Sequence, residues 1–82
     1  AADRREKLGP LKKKEKSLEA QIDKLQKRLV TIESSLADEA MYLEENKAEL
    51  NALIQEQGAL KSQLNAAEEQ WLEVLEEVGS YS

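Results

Sequence analysis

The 82-residue chain has no cysteine, no histidine and no phenylalanine, one proline, three glycines and 4% aromatic residues. Without cysteine there is no disulfide framework and no thiolate metal site, so nothing argues for an oxidising compartment and a cytoplasmic location is the expectation. The lack of histidine removes the commonest general base, and there is no Gly-rich phosphate loop carrying its Lys and Ser or Thr, so this segment is not expected to bind nucleotide. So few glycines and prolines exclude an all-β fold of many turns, and the missing Phe excludes an ordinary globular core. No apolar run approaches the roughly 18 residues of a membrane span, and the opening AADRREKLG lacks the apolar stretch of a signal peptide. No membrane contact is expected. The abrupt start and stop in charged sequence read better as an excised domain than as a complete protein.

What is present is 35% charged and 40% hydrophobic residues, dominated by Ala, Glu, Lys, Leu and Gln, the composition of long helices. The length allows one small domain, residues 1–82. Charge is unevenly laid down: residues 1–36 hold ten Lys or Arg against six acids, and residues 37–82 hold two against eleven. The halves attract one another and look like segments with different jobs.

Periodicity supports two helices. Leu8, Leu11, Leu18, Ile22, Leu25, Leu29, Ile32 and Leu36 fall on alternating steps of three and four, with Glu15 in the one polar slot. Leu50, Leu53, Leu60, Leu64, Ala67, Trp71, Val74 and Val78 repeat the pattern around Gln57. The phase breaks in LADEAMYLEEN, which reads as the turn. Pro10 suits a first helical turn and Gly79 a C-terminus, so the expected elements are helix 1 at about 10–36, a turn at about 37–45 and helix 2 at about 46–78. The expected fold class is all-α, a two-helix antiparallel coiled-coil hairpin.

In such a hairpin, facing core residues keep a constant sum of residue numbers. A sum of 82 sets Leu11 against Trp71, Glu15 against Ala67, Leu18 against Leu64, Ile22 against Leu60 and Leu29 against Leu53. Over the nine layers from Leu8 with Val74 to Leu36 with Asn46, fifteen of eighteen positions are apolar. The same register brings Glu19 to Lys61, Glu33 to Lys47, Lys12 to Glu68, Arg28 to Glu56 and Lys7 to Glu77, all of opposite sign. Each exposed pair is worth only about 0.2 to 1 kcal/mol, so such pairs select register more than they stabilise. A parallel homodimer would stack Trp71 on Trp71 and Glu15 on Glu15, whereas the hairpin offers each a better neighbour. A monomer is therefore expected, a swapped dimer with the same contacts remaining open.

Gln57 and Asn46 read as register devices or solvent-reaching side chains, and Glu15 as snorkelling toward Lys12 or Lys14. A two-helix seam is too thin to bury and tune a carboxylate cluster, so no catalytic residue, cofactor site or metal site is assigned. The run Glu68, Glu69, Glu73, Glu76, Glu77 is explained by a solvated face rather than by cation binding.

The feature with functional potential is basic. Lys13, Lys16, Lys24 and Lys27 project away from the seam without a partner in the register, while Arg4, Arg5, Lys7, Lys12 and Lys14 crowd the base of the hairpin. Together with Arg28 these form a candidate row for a phosphate backbone. Outer faces of a helix pair lie on the order of 20 Å apart, beyond the roughly 10 Å screening length at 0.1 M salt, so the acidic second helix does not cancel them. No aromatic is interleaved to stack on bases, so any binding would be weak and indifferent to sequence. The competing reading is a merely solvated lysine face.

The basic lead-in RREKLGPLKKKEKSLEAQIDKLQKRL, the turn LADEAMY with Asp38 and Tyr42, and the second heptad helix with Trp71 in AAEEQWLEVLEE resemble the C-terminal coiled-coil domain of ABC-F ATP-binding cassette proteins, over nearly the whole chain. The stretches NKAEL and EEQWLE are most similar to bacterial members with two cassettes. The turn reads DEAMY where the family often has Pro after the Asp. The resemblance implies an accessory domain of a cytoplasmic ATPase without membrane spans, with ATP and Mg handled by cassettes upstream of this segment. It also implies action on ribosomes, with the hairpin a DNA-binding element in some members. DNA or ribosomal RNA is thus the expected partner, the alternative being a structural spacer or protein-docking rod.

Overall fold

In the computed structural model the described residues are 2–81, with side chains described from residue 6 to residue 81. Two 35-residue α-helices carry the chain: α1 spans Ala2–Leu36 and α2 spans Lys47–Tyr81. Two short 3-10 turns, Glu39–Tyr42 and Glu44–Asn46, join them, and no strand occurs among the described residues. Each helix is about 52 Å long at 1.5 Å per residue. The molecule measures 64 × 14 × 14 Å, so the helices lie side by side and not end to end. Cross-contacts pair falling numbers with rising ones, Arg28 with Glu56 and Lys7 with Tyr81, which means that α2 runs back along α1.

The heptad pattern explains what is buried. Leu18 and Ile32 of α1 and Leu60, Ala67 and Val74 of α2 are each less than a tenth exposed, and they are spaced by seven or fourteen residues along their helices. The other seam residues, such as Leu11, Ile22, Leu29, Leu53, Leu64 and Trp71, are half-buried. One stripe per helix thus carries the core, as expected where only two helices shield one another. Glu15 and Gln57, the polar seam residues, are also half-buried.

The helix ends differ from expectation. Helix α1 begins eight residues before Pro10 and passes through it. Proline lacks the N–H that would bond the Glu6 carbonyl, but Glu6, Gly9 and Pro10 are all exposed, so that carbonyl is open to solvent and the ring need not end the helix. Helix α2 likewise continues through Gly79 to Tyr81, because Gly79 does not take the positive φ of a C-terminal glycine cap.

The tip is held by polar side chains. Helix α1 ends in a tightened turn, Asp38 N–H donating to the Ser35 carbonyl at 3.2 Å. The Asp38 carboxylate caps the first 3-10 turn by accepting from the Ala40 N–H at 3.0 Å. The Tyr42 hydroxyl donates back to the Leu36 carbonyl at 2.7 Å, occupying one of the acceptors a helix C-terminus leaves over. The Asn46 amide donates to the Ala40 carbonyl at 2.8 Å and ties the tip to the start of α2, so Asn46 is a turn-fixing side chain.

Candidate nucleic-acid interface and the Trp71 groove

The basic residues of α1 separate into three groups. Lys12, Lys13, Lys16 and Lys24 are exposed and make no ion pair or hydrogen bond among the described residues, and the same holds for Lys14. Lys27 and Arg28 are already engaged. Lys27, for which the register offers no partner on α2, pairs within its own helix with Asp23 one turn back at 3.0 Å. Arg28 forks onto Glu56 across the helices, its Nε to Oε1 at 2.8 Å and Nη2 to Oε2 at 2.9 Å. That bidentate bond and the attraction of the two charges hold the Arg28 pKa above its ordinary value. The hydrogen bond from Arg28 holds Glu56 below the usual carboxylate value, against a smaller upward effect of desolvation. Lys7 forms the third group: its ammonium lies 5.8 Å from the centre of the Tyr81 ring, within cation–π range. The side chains of Arg4 and Arg5 lie outside the described residues.

Of the five expected flank pairs, Arg28 with Glu56 closes to ion-pair distance. Glu19 with Lys61, Glu33 with Lys47, Lys12 with Glu68 and Lys7 with Glu77 do not, among the described residues. The difference is one of side-chain physics. Lysine gains little by fixing a long flexible stem for one exposed contact, whereas the planar guanidinium makes two parallel bonds at once.

Lys13, Lys16 and Lys24 occupy the half of α1 turned away from the seam, with Lys12 and Lys14 at its flanks, and Lys13 to Lys24 spans about 16 Å of helix. Phosphates recur every 3.4 Å of axis along one strand, so several fall within that reach. The arrangement can neutralise phosphates. Among the described residues no cluster of three or more His, Cys, Asp or Glu side chains is placed to hold a metal ion. No helix is long and apolar enough to cross a membrane.

A second feature escaped the heptad reading. Trp71 and Leu72 of α2, with Ile22 of α1, floor a groove of about 340 Å³ whose rim is Glu19, Asp23, Gln26 and Glu68. Leu72 is 55% exposed although apolar. The Trp71 indole therefore lies along the Glu19–Gln26 stretch and not against Leu11, which corrects the expected register here: a constant sum of 82 would hold Ile22 and Trp71 about 16 Å apart along the helices. Leu72 was passed over because it sits one position off the seam. An apolar residue directly after a seam Trp, in the acidic context EEQWLE, was the available signal.

No curated protein and no solved structure matches the chain. The model of one family, the ABC transporter C-terminal domain, matches residues 7–77, from Lys7 at the base of α1 through the tip to Glu77 near the end of α2, and so takes in the free lysines and the groove alike. By this match over most of its length, the chain belongs to the ABC transporter C-terminal domain family and is an accessory domain of an ABC protein.

Proposed function

We propose that the chain is the accessory hairpin of an ABC-F type ATPase and contacts nucleic acid, DNA or ribosomal RNA, through the outer face of α1. In this reading it is a single monomeric domain, an antiparallel coiled coil, attached to upstream cassettes that handle ATP and Mg in the cytoplasm. The observation that carries the reading is the set of exposed, unpaired lysines Lys12, Lys13, Lys16 and Lys24 on one side of α1. Lys27 and Arg28 contribute less, since a phosphate must first displace Asp23 or Glu56.

The test is salt-dependent binding of a short DNA duplex and an RNA duplex by the chain and by Lys13→Glu/Lys16→Glu/Lys24→Glu. Log affinity falls against log salt with a slope set by the number of phosphates neutralised, so the variant should bind more weakly and lose up to about three contacts from that slope. Glu69→Gln/Glu73→Gln/Glu76→Gln on the opposite helix is the control and should bind equally or slightly tighter. A lysine variant that matches the parent at low salt makes the face merely solvated and leaves the docking-rod reading.

A further inference from the structure

The groove over Trp71 makes a second, independent surface. Its floor is apolar, Ile22, Trp71 and Leu72, and three carboxylates stand on its rim. Asp23 shares its charge with Lys27 at 3.0 Å, while Glu19 and Glu68 make no ion pair among the described residues. An apolar residue kept 55% exposed beside a half-buried Trp leaves uncovered surface that two helices alone do not close. The Trp71 Nε1 is buried and has no acceptor among the described residues. A buried donor without a partner is costly, and a small turn of the indole would let an incoming backbone carbonyl serve it.

We infer that this groove docks a basic amphipathic protein segment, which places one or two large apolar side chains on Ile22, Trp71 and Leu72 and sets Lys or Arg against Glu19, Asp23 and Glu68. Charge chooses the occupant. A second copy docking groove to groove would bring two sets of three carboxylates together, and a nucleic acid would bring phosphates to the same acids. Both meet like charge at close range. A cationic helix with an apolar stripe meets an apolar floor and opposite charge at once, the pattern of helix-in-groove recognition. The volume, about 340 Å³, is at the lower end of what small recognition pockets offer and suits side chains rather than a whole domain.

Trp71 is the one tryptophan of the chain, so its fluorescence reports the groove directly. The probe is a synthetic amphipathic peptide of Leu and Lys at helical spacing, with two comparison peptides: one carrying Glu in place of Lys, and one in which the same Leu and Lys are scrambled. At physiological salt the Leu/Lys peptide should shift Trp71 emission to the blue with a saturating curve, and both comparison peptides should bind at least tenfold more weakly. Leu72→Lys and, separately, Glu19→Lys/Glu68→Lys should each weaken the peptide at least tenfold. Glu73→Lys/Glu76→Lys changes net charge equally outside the groove and should stay within about threefold of the parent. Circular dichroism of each variant checks that the helices persist, and Leu72→Gln replaces Leu72→Lys should the latter unfold. Equal binding by the Glu or scrambled peptide, equal loss in the Glu73/Glu76 control, or an oligonucleotide shifting Trp71 in place of the peptide overturns the inference. A Trp71 shift that follows protein concentration without peptide would do the same, by making the occupant a second copy.

Discussion

Arg28 and Glu56 clasp one another across the two helices through two parallel hydrogen bonds, and each shifts the pKa of the other toward the charged form. Glu56 is the member that titrates in an accessible range. Its folded-state pKa is lowered, so the stability it contributes is fully present above its ordinary value near 4.5 and is lost as pH falls through the lower folded-state value. Glu56→Gln should therefore melt below the parent at neutral pH, by a small margin because the pair is exposed. Thermal melts from pH 7 down to pH 2 should show the two curves converging below the ordinary carboxylate range. A difference that stays constant across that range would take the pair out of the pH dependence.

The Tyr42 hydroxyl holds the Leu36 carbonyl and so closes the C-terminus of α1. Tyr42→Phe removes that donor while keeping the ring, and should cost about 0.5 to 1 kcal/mol, the worth of an ordinary hydrogen bond. Urea melts give the loss, and amide exchange should show faster opening at the tip than at the base. An unchanged midpoint would make the bond incidental.

The return path of α2 is tested by cysteine pairs in this cysteine-free chain. Leu18→Cys with Leu64→Cys tests the constant-sum register, and Ile22→Cys with Ala67→Cys the register one heptad on, toward which the groove between Ile22 and Trp71 points; the second pair should oxidise within one chain at high dilution. Crosslinks found only between chains would reject the monomeric hairpin. Intrachain crosslinking that fails at both pairs but succeeds for Leu18→Cys with Ala67→Cys would move the register by one helical turn.

Trp71 is half-buried, walled by Ile22 on the facing helix. Trp71→Ala should cost about 2 kcal/mol, below the 3 to 5 kcal/mol of a fully buried aromatic. Trp71→Phe keeps much of the apolar contact and removes the unpartnered Nε1, so it should fall much closer to the parent in chemical denaturation. A Phe variant as unstable as the Ala variant would mean that the indole nitrogen finds an acceptor in solution.

The seam was legible in the sequence because every residue that becomes fully buried, from Leu18 to Val74, lies on the three-and-four repeat. The helix ends were not. Pro10 and Gly79 carry the usual signals for a start and a stop, yet both lie at exposed helical positions and the helices run through them. Tip geometry depends on the Tyr42 hydroxyl and the Asn46 amide reaching carbonyls six residues away, which residue identity alone does not specify. Among the charges, opposite signs at matched positions predicted five pairs, and the one that formed involves the planar arginine. The groove went unseen because Leu72 is invisible to a rule that scores only seam positions.

Lys24 and Lys27 lie three residues apart on the outer half of α1 and differ in one respect that bears on function: Lys27 is tied to Asp23 at 3.0 Å, and Lys24 has no partner among the described residues. If free charge rather than mere position determines phosphate contact, Lys24→Gln should remove close to one phosphate from the salt slope, about 0.9 in the exponent for duplex DNA. Lys27→Gln should remove less, because part of what its ammonium gives a phosphate is taken from Asp23. Asp23→Asn, which frees Lys27 and removes a nearby negative charge, should tighten binding and steepen the slope. The three variants keep the seam intact, so helicity and melting should move by no more than about 0.5 kcal/mol, as for most surface changes. Equal effects of Lys24→Gln and Lys27→Gln on the slope, with none from Asp23→Asn, would show that the intrahelical pair dissolves when a phosphate approaches and that position alone ranks these lysines.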